Sequence, residues 1–159
     1  GAQIDPYGNL NSTRIGGTHQ KPKVRLPGSG GACDLASFCW RTLIVMRHDA
    51  KKFVEKLDFL TSPGYLTGPG SREAAGLPKG TGPYRVITEL AILDFHPETC
   101  RMRVLSVHPG LTLAQVRAAT GFQLEEAENV QETAQPTDEE LRLLREEVDP
   151  AGYILRRAG

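Results

Sequence analysis

The stretch Arg25-Leu26-Pro27-Gly28-Ser29-Gly30-Gly31-Ala32-Cys33-Asp34 constrains this chain more than any other. Val24 to Leu26 reads as the end of a strand, and Ala32 to Cys39 as a short helix. Between them lies a turn with glycine at three of four positions. Glycine belongs where φ is positive or where a ligand comes against the main chain. A strand-to-helix turn of this kind leaves N–H groups unobstructed near the positive end of a helix dipole. That setting suits a phosphate, a carboxylate or a developing oxyanion. The spacing matches neither the dinucleotide fingerprint nor the Lys-Ser/Thr ending of a phosphate-binding P-loop. Taken alone, the stretch is equally a tight turn.

A length of 159 residues accommodates one domain with a proper core. The 19 lysines and arginines balance the 19 acids, with no basic stripe. Neither nucleic acid nor a membrane surface is therefore expected as a partner. The longest apolar run, Leu43 to Met46, is far too short to cross a bilayer, and no secretory signal is visible. Cys33, Cys39 and Cys100 lack the spacing of a metal or redox site. They predict small buried thiols in a reducing, cytoplasmic compartment, with no metal.

Ala2 to Ile4 reads as a strand, stopped by the turn Asp5-Pro6-Tyr7-Gly8-Asn9; Asn9 to Ile15 and Lys23 to Leu26 read as two more. The chain opens inside an element and without Met, which predicts a piece of something longer. Arg41 to Met46 is apolar without alternation, the pattern of a parallel strand covered on both faces. His48, Asp49, Lys51 and Lys52 follow its carboxyl end, where open α/β sheets bind ligands. Thr61 to Pro83, with Arg72, is a long irregular stretch of the functional-loop or disordered kind. Strands are predicted over Tyr84 to Leu90, Ala91 to Phe95 and Arg101 to Val107. Thr112 caps a helix from Leu113 to Thr120, stopped by Gly121. Thr137 and Glu140 form a capping box for a last helix over 137–148, with Leu141, Leu144 and Val148 on one stripe.

No nucleophile elbow, His-x-x-x-His pair or Ser/His/Asp arrangement stands at a convincing spacing. His19 and His96 fall in turns and His108 precedes Pro-Gly. His48, at a strand end, is the one histidine placed for a ligand or acid–base role. Glu89 lies within the apolar run Val86 to Leu93. It is either a cleft-facing acid with a task or an acid on the solvent face of an edge strand.

Several phrases, in order, resemble the β subunit of the family I coenzyme A transferases, most closely the glutaconate branch. They are Gln3-Ile4-Asp5-Pro6-Tyr7-Gly8-Asn9-Leu10-Asn11, Leu26 to Asp34, Phe53-Val54-Glu55-Lys56-Leu57-Asp58-Phe59, Val86-Ile87-Thr88-Glu89 and His108-Pro109-Gly110-Leu111-Thr112. The resemblance runs to about Gly121. It implies a Rossmann-like α/β fold of the sugar-phosphate isomerase and CoA transferase kind, with a mixed, mainly parallel sheet and flanking helices. It implies that residues 1–159 are the C-terminal portion of a single β-subunit domain, paired with an α subunit and a missing N-terminal β segment. The implied activity moves coenzyme A, as co-substrate, between an acyl-CoA and a carboxylic acid through an enzyme glutamyl-CoA thioester. The family carries that glutamate in a Ser-Glu-Asn-Gly-like phrase upstream of the Gln-Ile-Asp phrase. No such phrase occurs here, so the nucleophile is expected on another segment or polypeptide, or is lacking.

The resemblance assigns CoA binding to Gly28, Gly30 and Gly31, with Gly31 also helping to hold the oxyanion. It assigns CoA contact to Lys51, with Lys52 the alternative, and a supporting catalytic carboxylate to Glu89. Cys33 departs from the glutaconate pattern, which bears on substrate choice. A ring-opening hydrolase subunit of steroid breakdown and a non-catalytic partner subunit are the alternatives to a transferase.

Overall fold

The computed structural model describes residues 1–153; the predictions for residues 154–159 lie outside that range. Side-chain amides, rather than long strands, build its N-terminal part. β1 (Gln3–Ile4) and β2 (Leu10–Asn11) pair antiparallel. In the turn between them, the Asp5 carboxylate accepts from the N–H groups of Tyr7 and Asn9, each at 3.0 Å, and from the Asn9 amide at 2.8 Å. The carbonyl of that amide then accepts from the main chain of Gly64 and Leu66, at 2.7 and 3.1 Å. A distant loop is thereby fastened to the turn.

The single strand expected over Asn9 to Ile15 is two. Asn11, fully buried, accepts from the N–H groups of Thr13 and Arg14 at 3.0 and 3.3 Å. It donates to Gln3 Oε1 and to the Arg14 carbonyl, each at 2.7 Å. Such a side-chain turn competes with the strand ladder and ends β2. β3 (Arg14–Gly17) then starts afresh and pairs antiparallel with β4 (Pro22–Arg25).

The glycine turn leads into α1 (Ala32–Phe38) and then β5 (Arg41–Val45). A long loop follows, holding one helical turn, α2 (Ser71–Ala74). β7 (Ala91–Phe95) and β8 (Met102–Val107) are the strands expected there, while β6 (Gly82–Ile87) begins earlier than expected and ends at Ile87, which leaves Glu89 outside the strand. Next come α3 (Leu113–Ala118), β9 (Glu125–Glu132), α4 (Asp138–Leu143) and a π-helical turn, Leu144–Val148. Both predicted capping threonines, Thr112 and Thr137, accept from the N–H three residues on. Strands β5 to β9 form one sheet in sequence order. β5·β6 and β8·β9 are parallel, β6·β7 and β7·β8 antiparallel. The sheet is mixed and flanked by helices, with parallel and antiparallel pairings in balance.

One face of the sheet makes the core: Ile44, Val86, Leu93 and Val104 pack with Ile4, Phe53, Val116 and Phe122. The other face is not closed. Leu43 and Val45 of β5 are 62% and 77% exposed, which corrects the expectation of a strand covered on both sides. The apolar run marks a strand that needs a cover; no described element supplies one. Gly121 is also reassigned, because α3 ends at Ala118, before it. A Cβ at 121 would stand 2.4 Å from the Phe53 carbonyl oxygen, the same oxygen that accepts from the Gly121 N–H at 2.8 Å. Close main-chain crossing, not helix termination, demands glycine there.

Arg72 orders the long loop. Only 2% exposed, its guanidinium donates to the carbonyls of Gly64 (2.7 Å), Ala36 (3.1 Å) and Ser37 (3.3 Å) and to Thr81 Oγ1 (2.9 Å). Ala36 and Ser37 supply two of the final carbonyls of α1, which otherwise lack partners. Burial lowers the pKa of this guanidinium, and no carboxylate among the described residues pairs with it. Its hydrogen bonds, with the attraction of Tyr65 and Glu73, offset that desolvation. Arg72→Met, which fills the space without donors, is expected to cost about 3 kcal/mol in urea unfolding. It should also speed amide exchange across 61–83.

Candidate functional site

Reciprocal bonds pin the glycine turn to the β2–β3 connection. The Gly28 N–H donates to the Ser12 carbonyl, and the Ser12 hydroxyl to the Gly28 carbonyl, both at 2.8 Å. The Leu26 N–H donates to the Thr13 carbonyl at 3.0 Å. Gly28 and Gly30 hold positive φ, +95° and +49°, so both positions call for glycine on backbone grounds. Gly31 differs: it caps α1 at φ −79°, where any residue is allowed. Its amide and that of Gly30 donate to no acceptor among the described residues, and both residues are exposed. A Cβ at 28, 30 or 31 would meet no atom within 4 Å. Of the three amides expected to face a ligand, that of Gly28 is committed to Ser12, and those of Gly30 and Gly31 are free.

Glu89 stands just past the end of β6, exposed. Its Oε2 accepts from the His48 main-chain N–H, at the end of the neighbouring parallel strand, at 3.0 Å. It lines an open cleft of about 430 Å³ with Val45, Met46, Arg47, Ile87 and Thr88. The carboxyl ends of the parallel pair β5·β6 thus hold a carboxylate, in the position where α/β sheets gather ligands. The glycine turn and Lys51 lie outside that cleft's lining. Lys51 is exposed, its N–H held by Asp49 Oδ1 at 2.7 Å; the carbonyl of half-buried Lys52 accepts from the Ile4 N–H at 2.8 Å.

His48 is a brace. It is 7% exposed and stacks on Phe53, with ring centroids 4.0 Å apart. Nδ1 lies 3.1 Å from Thr88 Oγ1, and Nε2 lies 2.9 Å from Thr120 Oγ1. Burial pushes its pKa down to about 4 against the opposing pull of Glu89. Both ring nitrogens are occupied and the ring is sealed, which removes it from direct contact with a ligand. His108 is structural, its Nε2 2.8 Å from the Thr88 carbonyl. Cys33, Cys39 and Cys100 are free thiols and half-buried, not fully buried. Sequence reasoning missed Ser12, Asn11 and Thr120, since single hydroxyls and amides carry no pattern until the fold brings their partners close.

The "Coenzyme A transferase" family model matches residues 1–119. This chain belongs to the coenzyme A transferase family. It is 45% identical over 156 residues to the glutaconate CoA-transferase β subunit of Acidaminococcus fermentans, covering 98% of this chain and 58% of that one. The crystal structure of that organism's glutaconate coenzyme A-transferase superposes with a TM-score of 0.91 at 42% identity, over 99% of this chain and 59% of the other. The 3-oxoadipate CoA-transferase β subunit of Pseudomonas knackmussii is 45% identical over 144 residues, with 91% and 55% covered. The cholesterol ring-cleaving hydrolase IpdB subunit of Mycobacterium tuberculosis is 33% identical over 152 residues, with 93% and 58% covered. The chain spans rather more than half the length of these relatives.

The His48 environment has a signature in solution. Between pH 6.5 and about 4 the unfolded chain takes up a proton at His48 that the folded chain refuses. Stability therefore falls as pH drops through that window, by roughly 3 kcal/mol at its lower end, and is unaffected by this group above it. Urea unfolding from pH 7.5 to 4 should show the slope. His48→Gln should flatten it while lowering stability at pH 7.5 through lost stacking.

Proposed function

We propose that this chain is the β-subunit portion of an acyl-CoA transferase that moves coenzyme A between carboxylic acids. The pair of free amides at Gly30 and Gly31, on a turn that family membership ties to this chemistry, is the observation that carries the reading. In the reaction, a glutamate that is not on this chain attacks the acyl-CoA carbonyl and expels coenzyme A as its thiolate, leaving an acyl-glutamyl anhydride; the thiolate then attacks the glutamyl carbonyl, which releases the first carboxylate and leaves a glutamyl-CoA thioester. The incoming acid then collects the coenzyme. The Gly30 and Gly31 amides bind coenzyme A, and Gly31 steadies the negative oxygen that develops during attack. Gly28 shapes the turn that aims them. Lys51 neutralises charge on the coenzyme, and Glu89 serves as a supporting carboxylate near the reacting groups. The assembly includes an α subunit and the remaining part of the β subunit, and works in the cytoplasm.

Similarity to the IpdB subunit supports a second reading, a CoA-dependent ring-opening hydrolase. The two part on one observable. A transferase exchanges coenzyme A onto added acetate, and borohydride or hydroxylamine marks a glutamate in the assembly. The hydrolase adds water across a ring bond of its CoA-linked substrate, transfers no coenzyme A to acetate and leaves no such mark.

Gly31→Val tests the loop within the active assembly. At φ −79°, with open space around its Cβ, valine leaves the fold intact, so the melting temperature should move little. The side chain stands where the coenzyme approaches, and kcat/KM should fall about 10²- to 10³-fold, the scale of a lost oxyanion donor. Unchanged turnover would reduce the loop to a turn.

A further inference from the structure

The β2–β3 connection that fastens the glycine turn is itself held by a hydroxyl from a distant loop. Thr61 reaches it along β2: its N–H donates to the Leu10 carbonyl at 2.8 Å, and the Leu10 N–H donates to the Ser62 carbonyl at 2.9 Å. Thr61 Oγ1 then accepts from the Ser12 N–H at 2.9 Å and lies 2.8 Å from Thr13 Oγ1. Every polar group of Ser12 is thereby engaged, the N–H by Thr61 and the carbonyl and hydroxyl by Gly28. Thr13 bridges in the same way, with its hydroxyl on Thr61 and its carbonyl accepting from the Leu26 N–H. Both residues that pin the turn therefore rest on one oxygen. A hydroxyl suits the position because it accepts from a main-chain N–H while exchanging a bond with a second hydroxyl. Valine has the same shape and does neither. The helix side of the turn is held from the same loop, where Arg72 binds the carbonyls of Ala36 and Ser37 near the end of α1.

Resting on the transferase reading above, we infer that Thr61 is a positioning residue for the reaction. Through Ser12 and Thr13 it fixes where Gly28 stands, and so where the Gly30 and Gly31 amides point. It touches neither the coenzyme nor the acyl group. Those two amides have no acceptor among the described residues, so the anchorage of the turn is what aims them. At the helix end that anchorage is the first turn of α1, where Ala32 and Leu35 donate to the carbonyls of Ser29 and Gly31 at 2.9 and 3.0 Å. At the strand end it is Ser12 and Thr13, and behind both of them Thr61. Glycines lend no stiffness of their own, so slack at one anchor reaches the amides directly. Donors to a developing oxyanion act only if placed beforehand, and a misplacement of about 1 Å can cost on the order of 10²-fold in rate.

The test places Thr61→Val and Thr61→Ser in the active assembly, with and without Gly31→Val. Thr61→Val should lower kcat about 10- to 100-fold while KM for the acyl-CoA stays within about threefold, the pattern of an interaction made only in the transition state. Thr61→Ser keeps the hydroxyl and should hold kcat within about threefold of the parent. Thr13→Val removes one of the two Thr61 contacts from the other side and should lower kcat in the same direction. With Gly31→Val already present, Thr61→Val should cost less than about threefold more, because both changes act on the same amide. A side chain that served stability alone would shift the melting temperature and leave this split and this coupling absent. Hydrogen exchange in the assembly without substrate gives an independent reading. Thr61→Val should speed the Gly28 and Leu26 amides more than about tenfold, and by more than the core amides of Leu93 and Val104. Any one of four results would overturn the assignment: full kcat in Thr61→Val, equal losses with and without Gly31→Val, a Thr61→Ser as slow as Thr61→Val, or Gly28 and Leu26 amides exchanging at the parent rate. If the parent assembly transfers no coenzyme A, the transferase reading falls, and exchange at Gly28 and Leu26 still decides whether Thr61 sets the turn.

Discussion

Asn11 decides where the proposed ligand loop lies. A strand running on from Leu10 would have carried Ser12 past the glycine turn. The buried amide instead gathers the N–H groups of Thr13 and Arg14 and reverses the chain. Ser12 then faces Gly28, and the pair exchange bonds in both directions. A glycine-rich turn is entropically costly to hold, since glycine loses more backbone freedom on folding than any other residue. Fastening it at one end by Ser12 and Thr13, and at the other by the start of α1, meets that cost without using the Gly30 and Gly31 amides. α1 is only two turns long, so its dipole adds modestly. The two amides themselves are the principal electropositive feature of the loop.

The opposite corner follows a related logic with a carboxylate. Glu89 is held by one oxygen on a main-chain N–H, and no described cation lies within ion-pair distance of it. Its second oxygen remains available. That arrangement depends on His48 staying in place, because the donor is the His48 amide itself. The imidazole is wedged between Phe53, Thr88 and Thr120, so three separate connecting segments converge on the residue that orients the acid. Neutral imidazole suits this task. A charged ring in so dry a position would demand a counter-charge and draw on Glu89.

Much of this was legible in advance wherever one local pattern carried the signal. The apolar runs over 84–95 and 101–107 marked the central strands. Thr112 and Thr137 announced helix starts through spacing alone, and the ordered phrases pointed to the family. What escaped notice depends on partners far along the chain. β9 is half glutamate, and it forms a strand because β8 offers it a ladder, not because its residues favour one. Arg72 resembled a loop cation and is instead a buried clamp, since only the fold brings the carbonyls of 36 and 37 to it. Gly121 sat at the right place for a helix stop, yet its neighbour in space, the Phe53 carbonyl, is what excludes a side chain. For the proposed site, the sequence supplied the glycines and Glu89, but not the bond that withdraws Gly28 from ligand duty.

The expectation about β5 was overturned in an informative direction. An unbroken apolar run signals burial on both faces when a sheet is sandwiched between layers, and here a single layer covers it. The pattern in the residues and the exposure in the fold disagree only if the described elements are taken as everything that β5 meets. A strand with solvent permanently on one face gains nothing from Leu43 and Val45, and burying their apolar area in a partner would be worth a few kcal/mol, about 25 cal/mol per Å². The edge at β9, where solvent is accommodated by charge, shows what this chain does with a surface meant to stay wet. Polarity across the sheet therefore runs from a guarded edge to an unguarded one, and the Glu89 cleft lies on the unguarded side, with Val45 as one of its walls.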